Sequence, residues 1–249
     1  MGALARMWRY ESKRWAYRWP LFFDTTLSQI MRRGYVVIPK YWSQKMCLLA
    51  RNSIDEFIER PDLKVWKDEI GADKRLMGAN TLHKNLDLFS DNRLTEYMNR
   101  LFNCKTLTGF SMGSRLDHVV NNLGSGQGWH RDIAVNYQFK AILYLSDVNA
   151  TSGPFQYLRG SGNALSILRE EYLNSLPIDQ NRFTDEESEL FDVNKIDELR
   201  AKAGTLIIAN TRGIHRGKSI EVGSRYALTN YYWEKKIPKH IQPFVNGMQ

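Results

Sequence analysis

The chain has 249 residues, which suits one well-buried domain, and no run of about eighteen uncharged apolar residues that could span a membrane. Two cysteines, Cys47 and Cys104, exclude a disulfide framework, and no secretory signal is recognisable, so we expect a reduced, cytoplasmic protein. The formal charge of +8, from 35 basic and 27 acidic residues, favours anionic partners but selects no class of them.

Residues 1–23 are a basic, aromatic amino-terminal extension, and a helix ending at Pro20 is predicted there. At a helical step its apolar side chains fall on one stripe and its cations on the other side: Leu4, Trp8, Trp15 and Trp19 against Arg6, Arg9 and Lys13. Such stripes usually face a core, so we expect this one to pack on the domain's own sheet. Two alternatives are a membrane interface and single-stranded nucleic acid.

Residues 27–105 are predicted to form helical support and a first strand. Gly34–Pro39 has strand character, and Ser43 can cap a helix that continues to about Arg60. Asp91 can cap a second helix that ends near Phe102. These helices are expected to lie against a sheet formed by the rest of the chain.

Residues 106–233 carry short strand-like runs separated by glycines, interrupted by an insertion at residues 163–203. The predicted strands are Leu107–Arg115, His118–Leu123, His130–Asn136, Lys140–Leu145, Gly153–Leu158, Thr205–Asn210 and Arg225–Trp233. Within the insertion, the acidic stretch Pro177–Glu198 is predicted to be helical and solvated. The pattern predicts a single domain over residues 1–249, mainly β with flanking helices, folded as a double-stranded β-helix (jelly roll, cupin-like).

The sequence from Gly126 to Asp132 contains a His-x-Asp pair, His130 and Asp132. Side chains at i and i+2 leave the same face of an extended strand, so an imidazole and a carboxylate converge on one point. An iron site of the two-histidine, one-carboxylate kind then needs one more histidine, and His215 follows a strand-like run. Arg225 comes ten residues later, at the head of another such run. The pair alone is a weak signal, but the constellation is stronger.

This order of His-x-Asp, distant histidine and strand-borne arginine resembles that of the Fe(II)/2-oxoglutarate oxygenases. More of the chain, from about residue 27 to 233, resembles one branch, the phytanoyl-CoA dioxygenase-like (PhyH) family. Residues 31–40 resemble its opening strand, and residues 141–149 with 153–161 resemble its later strand and turn segment. The chain departs from that segment at Arg159, where proline is usual, and at Gly162, where histidine is usual.

The resemblance implies an Fe(II) ion bound by His130, Asp132 and His215, with 2-oxoglutarate and O2 as co-substrates. It implies that Arg225 binds the distal carboxylate of 2-oxoglutarate, for which a planar guanidinium is suited. Further candidates rest on position alone: Thr211, Ser219 and Asn121 for 2-oxoglutarate, and Gln127 and Trp129 for substrate. The expected reaction is hydroxylation of a small-molecule or lipid- or sugar-linked, anionic substrate, giving succinate and CO2. Asp132 stands where related halogenases have a small residue, so halogenation is not expected.

Three other functions were weighed. His130-Arg131-Asp132 also spells a protein-kinase triplet, but Tyr137 stands where a kinase has asparagine, and the other kinase motifs are absent from the sequence. An oxygenase acting on nucleic acid would use the positive charge, yet its double-arginine signature after His215 is missing. A non-catalytic jelly-roll binding protein would be favoured if a metal ligand were missing, and all three are present.

Overall fold

A computed structural model of the protein describes residues 2–239, 241, 242 and 245. Within this part, the helices are α1 (Ala3–Arg18), α2 (Leu27–Arg33), α3 (Gln44–Ile58), α4 (Ala79–Leu82), α5 (Asn92–Phe102), α6 (Ala164–Asn174) and α7 (Asp185–Ser188). The strands are β1 (Tyr35–Ile38), β2 (Trp66–Lys67), β3 (Asp73–Leu76), β4 (Thr108–Asp117), β5 (Phe139–Tyr144), β6 (Phe155–Leu158), β7 (Ile196–Leu199), β8 (Leu206–Asn210), β9 (His215–Gly217) and β10 (Ser224–Trp233).

The strands form two antiparallel sheets. The larger has seven strands in the order β1-β8-β5-β10-β4-β3-β2, and the smaller has three in the order β7-β6-β9. Several neighbours in space, such as β1 and β8 or β10 and β4, are distant in the chain, as in a jelly roll, where connections cross between two facing sheets. The predicted fold class, a mainly β double-stranded β-helix with flanking helices, is confirmed.

Successive side chains of a strand point to opposite faces of the sheet. In the large sheet one face packs against the helices, and the other faces the space between the two sheets. On β5, Ala141 and Leu143 are fully buried in the core formed with the helices. Their neighbours Lys140, Ile142 and Tyr144 point to the other face and line a cavity between the sheets. One face of the large sheet therefore supplies stability, and the other is available for a site.

The two predicted supporting helices are confirmed, with their caps. The Ser43 hydroxyl accepts a hydrogen bond from the Met46 amide at the start of α3. The Asp91 carboxylate accepts from the amides of Arg93 and Leu94 at the start of α5. These side chains satisfy amide groups that have no partner within the first turn of a helix.

The amino-terminal helix packs on the domain by a side next to the predicted one. Met7 is fully buried, whereas Trp8, Trp15 and Trp19 are 49%, 69% and 60% exposed. The polar residue Glu11 faces the domain, where it forms ion pairs with the buried Arg212 and the partly buried Arg18. The expectation that the tryptophan stripe covers the sheet is wrong, because the Glu11–Arg212 ion pair and the contact of Arg18 with Tyr137 anchor α1 by the neighbouring side.

Two predicted strands and most of one predicted helix are absent from the structure. The strands predicted at His118–Leu123 and His130–Asn136 do not form; only His130 makes a β-bridge, and the segment between contains turns with positive φ at Asn121 and Gln127. Most of the predicted acidic helix Pro177–Glu198 is absent too. Only four residues form α7, and the end of the stretch becomes β7, where Glu198 accepts a hydrogen bond from Gln156 on β6.

None of the helices in the described ranges is long and apolar enough to cross a membrane. Both cysteines are free, Cys47 buried and Cys104 partly buried.

Candidate metal centre

Backbone pairing places the His-x-Asp segment against the start of β9. The amide of His130 donates to the carbonyl of His215 at 2.9 Å, and the amide of His215 donates to the carbonyl of His130 at 2.8 Å. Two residues on, the Asp132 amide donates to the Thr211 carbonyl at 2.9 Å. The ligand atoms of His130, Asp132 and His215 all lie within 4.8 Å of one another. The structure therefore brings the three predicted ligands together.

The glycines before His130 allow the turn to approach its imidazole. Gly126 has a φ of +88°, and a Cβ atom there would lie 2.4 Å from Cε1 of His130. Any side chain at this position would both strain the backbone and displace the ring. Gly126 thus has a steric reason at the candidate metal site.

Both imidazoles are oriented by backbone carbonyls. Nδ1 of His130 lies 2.9 Å from the oxygen of Gly128, and Nδ1 of His215 lies 2.8 Å from the oxygen of Gly213. A carbonyl only accepts, so Nδ1 is the protonated nitrogen in each ring and Nε2 keeps its lone pair. Burial lowers the pKa of both rings, that of His215 to about 3, so both are neutral ligands at pH 7.

The carboxylate of Asp132 forms an ion pair with the ammonium group of Lys140. Nζ lies 2.9 Å from Oδ1, to which it donates, and 2.7 Å from Oδ2, which accepts no hydrogen bond with suitable geometry. Burial would raise the pKa of Asp132, but the charge of Lys140 outweighs it and holds that pKa well below its usual range. The carboxylate is therefore ionised and keeps an oxygen with an unused lone pair.

This donor set fits a ferrous ion. Two neutral imidazole nitrogens and one carboxylate oxygen on one side of an octahedral metal leave other positions open for exchangeable ligands. The unsatisfied Oδ2 atom of Asp132 and the two outward Nε2 atoms are the groups that such an ion would complete.

A cavity of about 280 Å³ opens beside the three ligands. Besides them, its lining includes residues of β3, β4, β5 and β10: Arg75, Met112, Ser114, Lys140, Ile142, Tyr144, Arg225, Ala227, Thr229 and Tyr231. Asp132 is the one carboxylate that lines it, against the cations Arg75, Lys140, Arg182 and Arg225. Anionic ligands are therefore favoured in this cavity.

Arg225 is a buried cation without a carboxylate partner. Its side chain is 7% exposed, Nη1 donates to the Gly153 carbonyl, and the described residues place no acid within ion-pair distance of it. Burial lowers its pKa, an effect that Tyr144 partly opposes. By contrast, Arg75 is paired with Asp73, at 2.6 Å between Nη2 and Oδ2. An uncompensated buried guanidinium is costly, and a bound carboxylate would satisfy it.

The candidates that rested on position alone are scattered. Thr211 lines the cavity, although its hydroxyl donates to the Gln138 carbonyl at 3.3 Å. The others, Ser219, Asn121, Gln127 and Trp129, are not part of the lining. Trp129 is buried in a hydrophobic cluster with its ring 5.7 Å from that of Phe191.

Sequence reasoning missed three basic residues of the cavity, Lys140, Arg75 and Arg182. Lys140 carries a signal, since it occupies an alternating position of a strand whose neighbours Ala141 and Leu143 are core residues. Side chains alternate between the two faces of a strand, so Lys140 must point away from the apolar core. A lysine at such a position indicates a polar interior on the other face. Arg75 carries no such signal, because β3 is only four residues long and mostly polar.

The phytanoyl-CoA dioxygenase (PhyH) family model matches residues 30–221 of the chain. The curated proteins contain no match. Solved structures share the fold at low identity. The non-heme alpha ketoglutarate dependent epimerase SnoN from nogalamycin biosynthesis has a TM-score of 0.63 and 14% identity, over 86% of this chain and 83% of that one.

Two further structures are similar. The carbocyclase SnoK from nogalamycin biosynthesis has a TM-score of 0.61 and 18% identity, over 84% of this chain and 83% of its own. HygX from Streptomyces hygroscopicus, with nickel, 2-oxoglutarate and hygromycin B bound, has a TM-score of 0.59 and 16% identity, over 84% of this chain and 86% of its own. At these identities the likeness establishes the fold and leaves the substrate open.

Proposed function

The chain belongs to the phytanoyl-CoA dioxygenase (PhyH) family, and from this premise we propose that it is an Fe(II)- and 2-oxoglutarate-dependent oxygenase that hydroxylates a small, anionic molecule. The observation that carries the proposal is the convergence of His130, Asp132 and His215 beside a basic cavity. A ferrous ion in this site would supply oxidative decarboxylation of 2-oxoglutarate and oxygen transfer to a C–H bond.

The protein's own residues prepare the site. The carbonyls of Gly128 and Gly213 hold the two rings with Nε2 toward the ion. Asp132 is ionised at neutral pH, so metal binding does not require loss of a proton from any of the three side chains.

Arg225 is proposed to bind the distal carboxylate of 2-oxoglutarate. Its burial and its lack of an acidic partner make it the cavity cation with the greatest need for an anion. The guanidinium would offer two parallel N–H groups to one carboxylate, while Thr211 lies on the lining as a second polar contact.

Lys140 and Arg75 are proposed to select an anionic substrate. Lys140 is paired with Asp132, and a ferrous ion would compete for that carboxylate, which leaves the ammonium group to bind another anion. Arg75 keeps Asp73 as a partner but lines the same cavity. A carboxylate or phosphate on the substrate would meet these charges.

Hydroxylation is proposed because it needs no further group from the protein once a hydrogen atom has been removed. The structures of similar fold include an epimerase and a carbocyclase, so the mass of the product is needed to identify the reaction. A product that gains one oxygen atom identifies hydroxylation. An isomer of unchanged mass identifies epimerisation, and the loss of two hydrogens identifies ring closure or desaturation.

The first experiment is an anaerobic titration of metal-free protein with Fe(II) and then with 2-oxoglutarate. The chelate gives a weak visible charge-transfer band, which we expect for the wild type and not for His130→Ala, Asp132→Ala or His215→Ala. His118→Ala is the matched control, since this exposed histidine contacts the Ile220 carbonyl outside the cavity. Loss of the band in the control alone, or its persistence in the three variants, would show that the ligands are wrongly assigned.

Arg225→Ala separates the co-substrate from the metal. We expect this variant to bind Fe(II) normally and to need at least tenfold more 2-oxoglutarate for half-maximal chelate formation. Arg159→Ala is the control for loss of one arginine, because Arg159 is 41% exposed and pairs with Asp197 outside the cavity. If no band forms in the wild type at all, a non-catalytic binding protein becomes the better assignment.

A further inference from the structure

The exposed side of the amino-terminal helix carries an aromatic strip that the fold does not cover. The strip consists of Trp8, Trp15, Trp19, Phe22 and Phe23, whose side chains are 49%, 69%, 60%, 37% and 74% exposed. Three of the seven tryptophans of the chain are thus exposed on one short segment. Large exposed aromatic patches are rare on monomeric proteins and mark surfaces that contact a partner.

The strip is continuous across the junction between α1 and the 3-10 helix Trp19–Phe23 that follows it. The ring centroids of Trp15 and Trp19 lie 6.5 Å apart, and those of Trp19 and Phe23 lie 5.8 Å apart. Trp8 and Trp15 are seven residues apart, two helical turns, so they share one side of α1. The rings therefore form one surface and not isolated exposed groups.

Unpaired positive charge lies on the exposed part of the same helix, further round its axis from the strip. Arg6, Arg9 and Lys13 are exposed on the same helix, and none of them has an ion-pair partner in the described part of the chain. The acids of this region are already neutralised. Glu11 pairs with Arg18 and Arg212, and Asp24 pairs with Arg100 at 2.7 Å.

The helix is firmly attached by the side next to the strip, so the strip is a surface of the folded domain. Met7 is buried against Ile167 and Ile178, and Arg14 pairs with Glu234. The guanidinium of Arg18 lies 4.5 Å from the ring centroid of Tyr137. A rigid helix that presents rings and cations together needs no folding step before it meets a partner.

We propose that this surface docks the protein on an anionic lipid bilayer. Tryptophan rings prefer the membrane interface, where the apolar ring contacts acyl chains and the indole N–H meets water or headgroups. Arg6, Arg9 and Lys13 then face lipid phosphates, and a helix in the plane of the interface satisfies its own backbone. The charge complementarity favours an anionic bilayer over a second copy of this chain, whose corresponding surface is equally basic.

The test is flotation of the full-length protein with vesicles of phosphatidylcholine alone and with roughly a third phosphatidylserine. We expect binding to the anionic vesicles that weakens with salt, because charge attraction is screened. The variant Trp8→Ala/Trp15→Ala/Trp19→Ala should lose at least tenfold in partition coefficient to both kinds of vesicle. The variant Arg6→Gln/Arg9→Gln/Lys13→Gln should lose roughly a hundredfold toward anionic vesicles only.

Leu48→Ser/Leu49→Ser is the matched control, since these exposed aliphatic side chains lie on α3, away from the strip. It should bind vesicles like the wild type, and every variant should keep the anaerobic Fe(II) and 2-oxoglutarate chelate as evidence of folding. The proposal is overturned if the wild type fails to float with anionic vesicles or if the control loses as much as the tryptophan variant. Tryptophan-dependent self-association, or binding of a single-stranded oligonucleotide in place of vesicles, would overturn it as well.

Discussion

Replacing Glu11 by glutamine is expected to destabilise the protein by about 3 kcal/mol. Glu11 pairs with Arg212, whose side chain is completely buried, while that of Glu11 is 13% exposed. The guanidinium also donates from Nε to the Ala134 carbonyl at 2.6 Å, but Nη2 has no partner. Removing the partner of a buried charge costs about 3–5 kcal/mol, and we expect the lower end because glutamine keeps an oxygen acceptor.

The measurement is urea unfolding of metal-free protein, read as a shift of the midpoint at unchanged slope. Glu234→Gln is the control, since it removes the partner of Arg14 where the acid is 39% exposed, and we expect less than about 1 kcal/mol there. The double variant Glu11→Gln/Arg212→Met should regain most of the loss, because it removes the buried charge together with its partner.

The contribution of Glu11 to the free energy of unfolding should decrease at low pH. Burial would raise the pKa of Glu11, but Arg212 and Arg18 outweigh it and lower that pKa below the ordinary 4.5. The stabilisation is therefore complete above pH 4.5 and is lost as the pH falls below it. If Glu11→Gln destabilised no more than Glu234→Gln at pH 7, the buried ion pair would not be what anchors α1.

Three further predictions concern the metal site. Lys140→Met should strengthen Fe(II) binding several-fold in anaerobic titration, because Nζ lies 2.7 Å from the carboxylate of the proposed ligand Asp132; weaker binding would mean that the lysine orients that group. Gly126→Ala should weaken metal binding at least tenfold by displacing His130, whereas Gly128→Ala, with a similar φ but no atom within 4 Å of its Cβ, should lower only the unfolding midpoint; equal metal affinities would refute the steric argument. Burial lowers the pKa of His215 to about 3 from 6.5, so metal-free protein should lose stability as the pH falls from 6.5, by up to about 1.4 kcal/mol per unit, and this slope should be shallower in His215→Asn.

Local chemistry explains which elements could be predicted. Ser43 and Asp91 cap their helices because a short polar side chain satisfies free amides whatever the tertiary context. The strands β5, β8 and β10 follow from alternating or continuous apolar runs. The strand predicted from His130 to Asn136 is limited to a single bridge at His130, and the glycines just before it adopt positive φ, which a hydrophobic pattern does not report.

The sequence by itself determined which side chains share a face: the spacing of His130 and Asp132, the alternation along β5, and the tryptophan stripe of α1. Tertiary structure decided what lies opposite each face. It set Lys140 against Asp132, left Arg225 without an acid, and turned the tryptophan stripe outward. The physical reason is that periodicity is a property of one segment, whereas burial and ion pairing depend on a second segment, and in the pair Glu11–Arg212 the two are 201 residues apart.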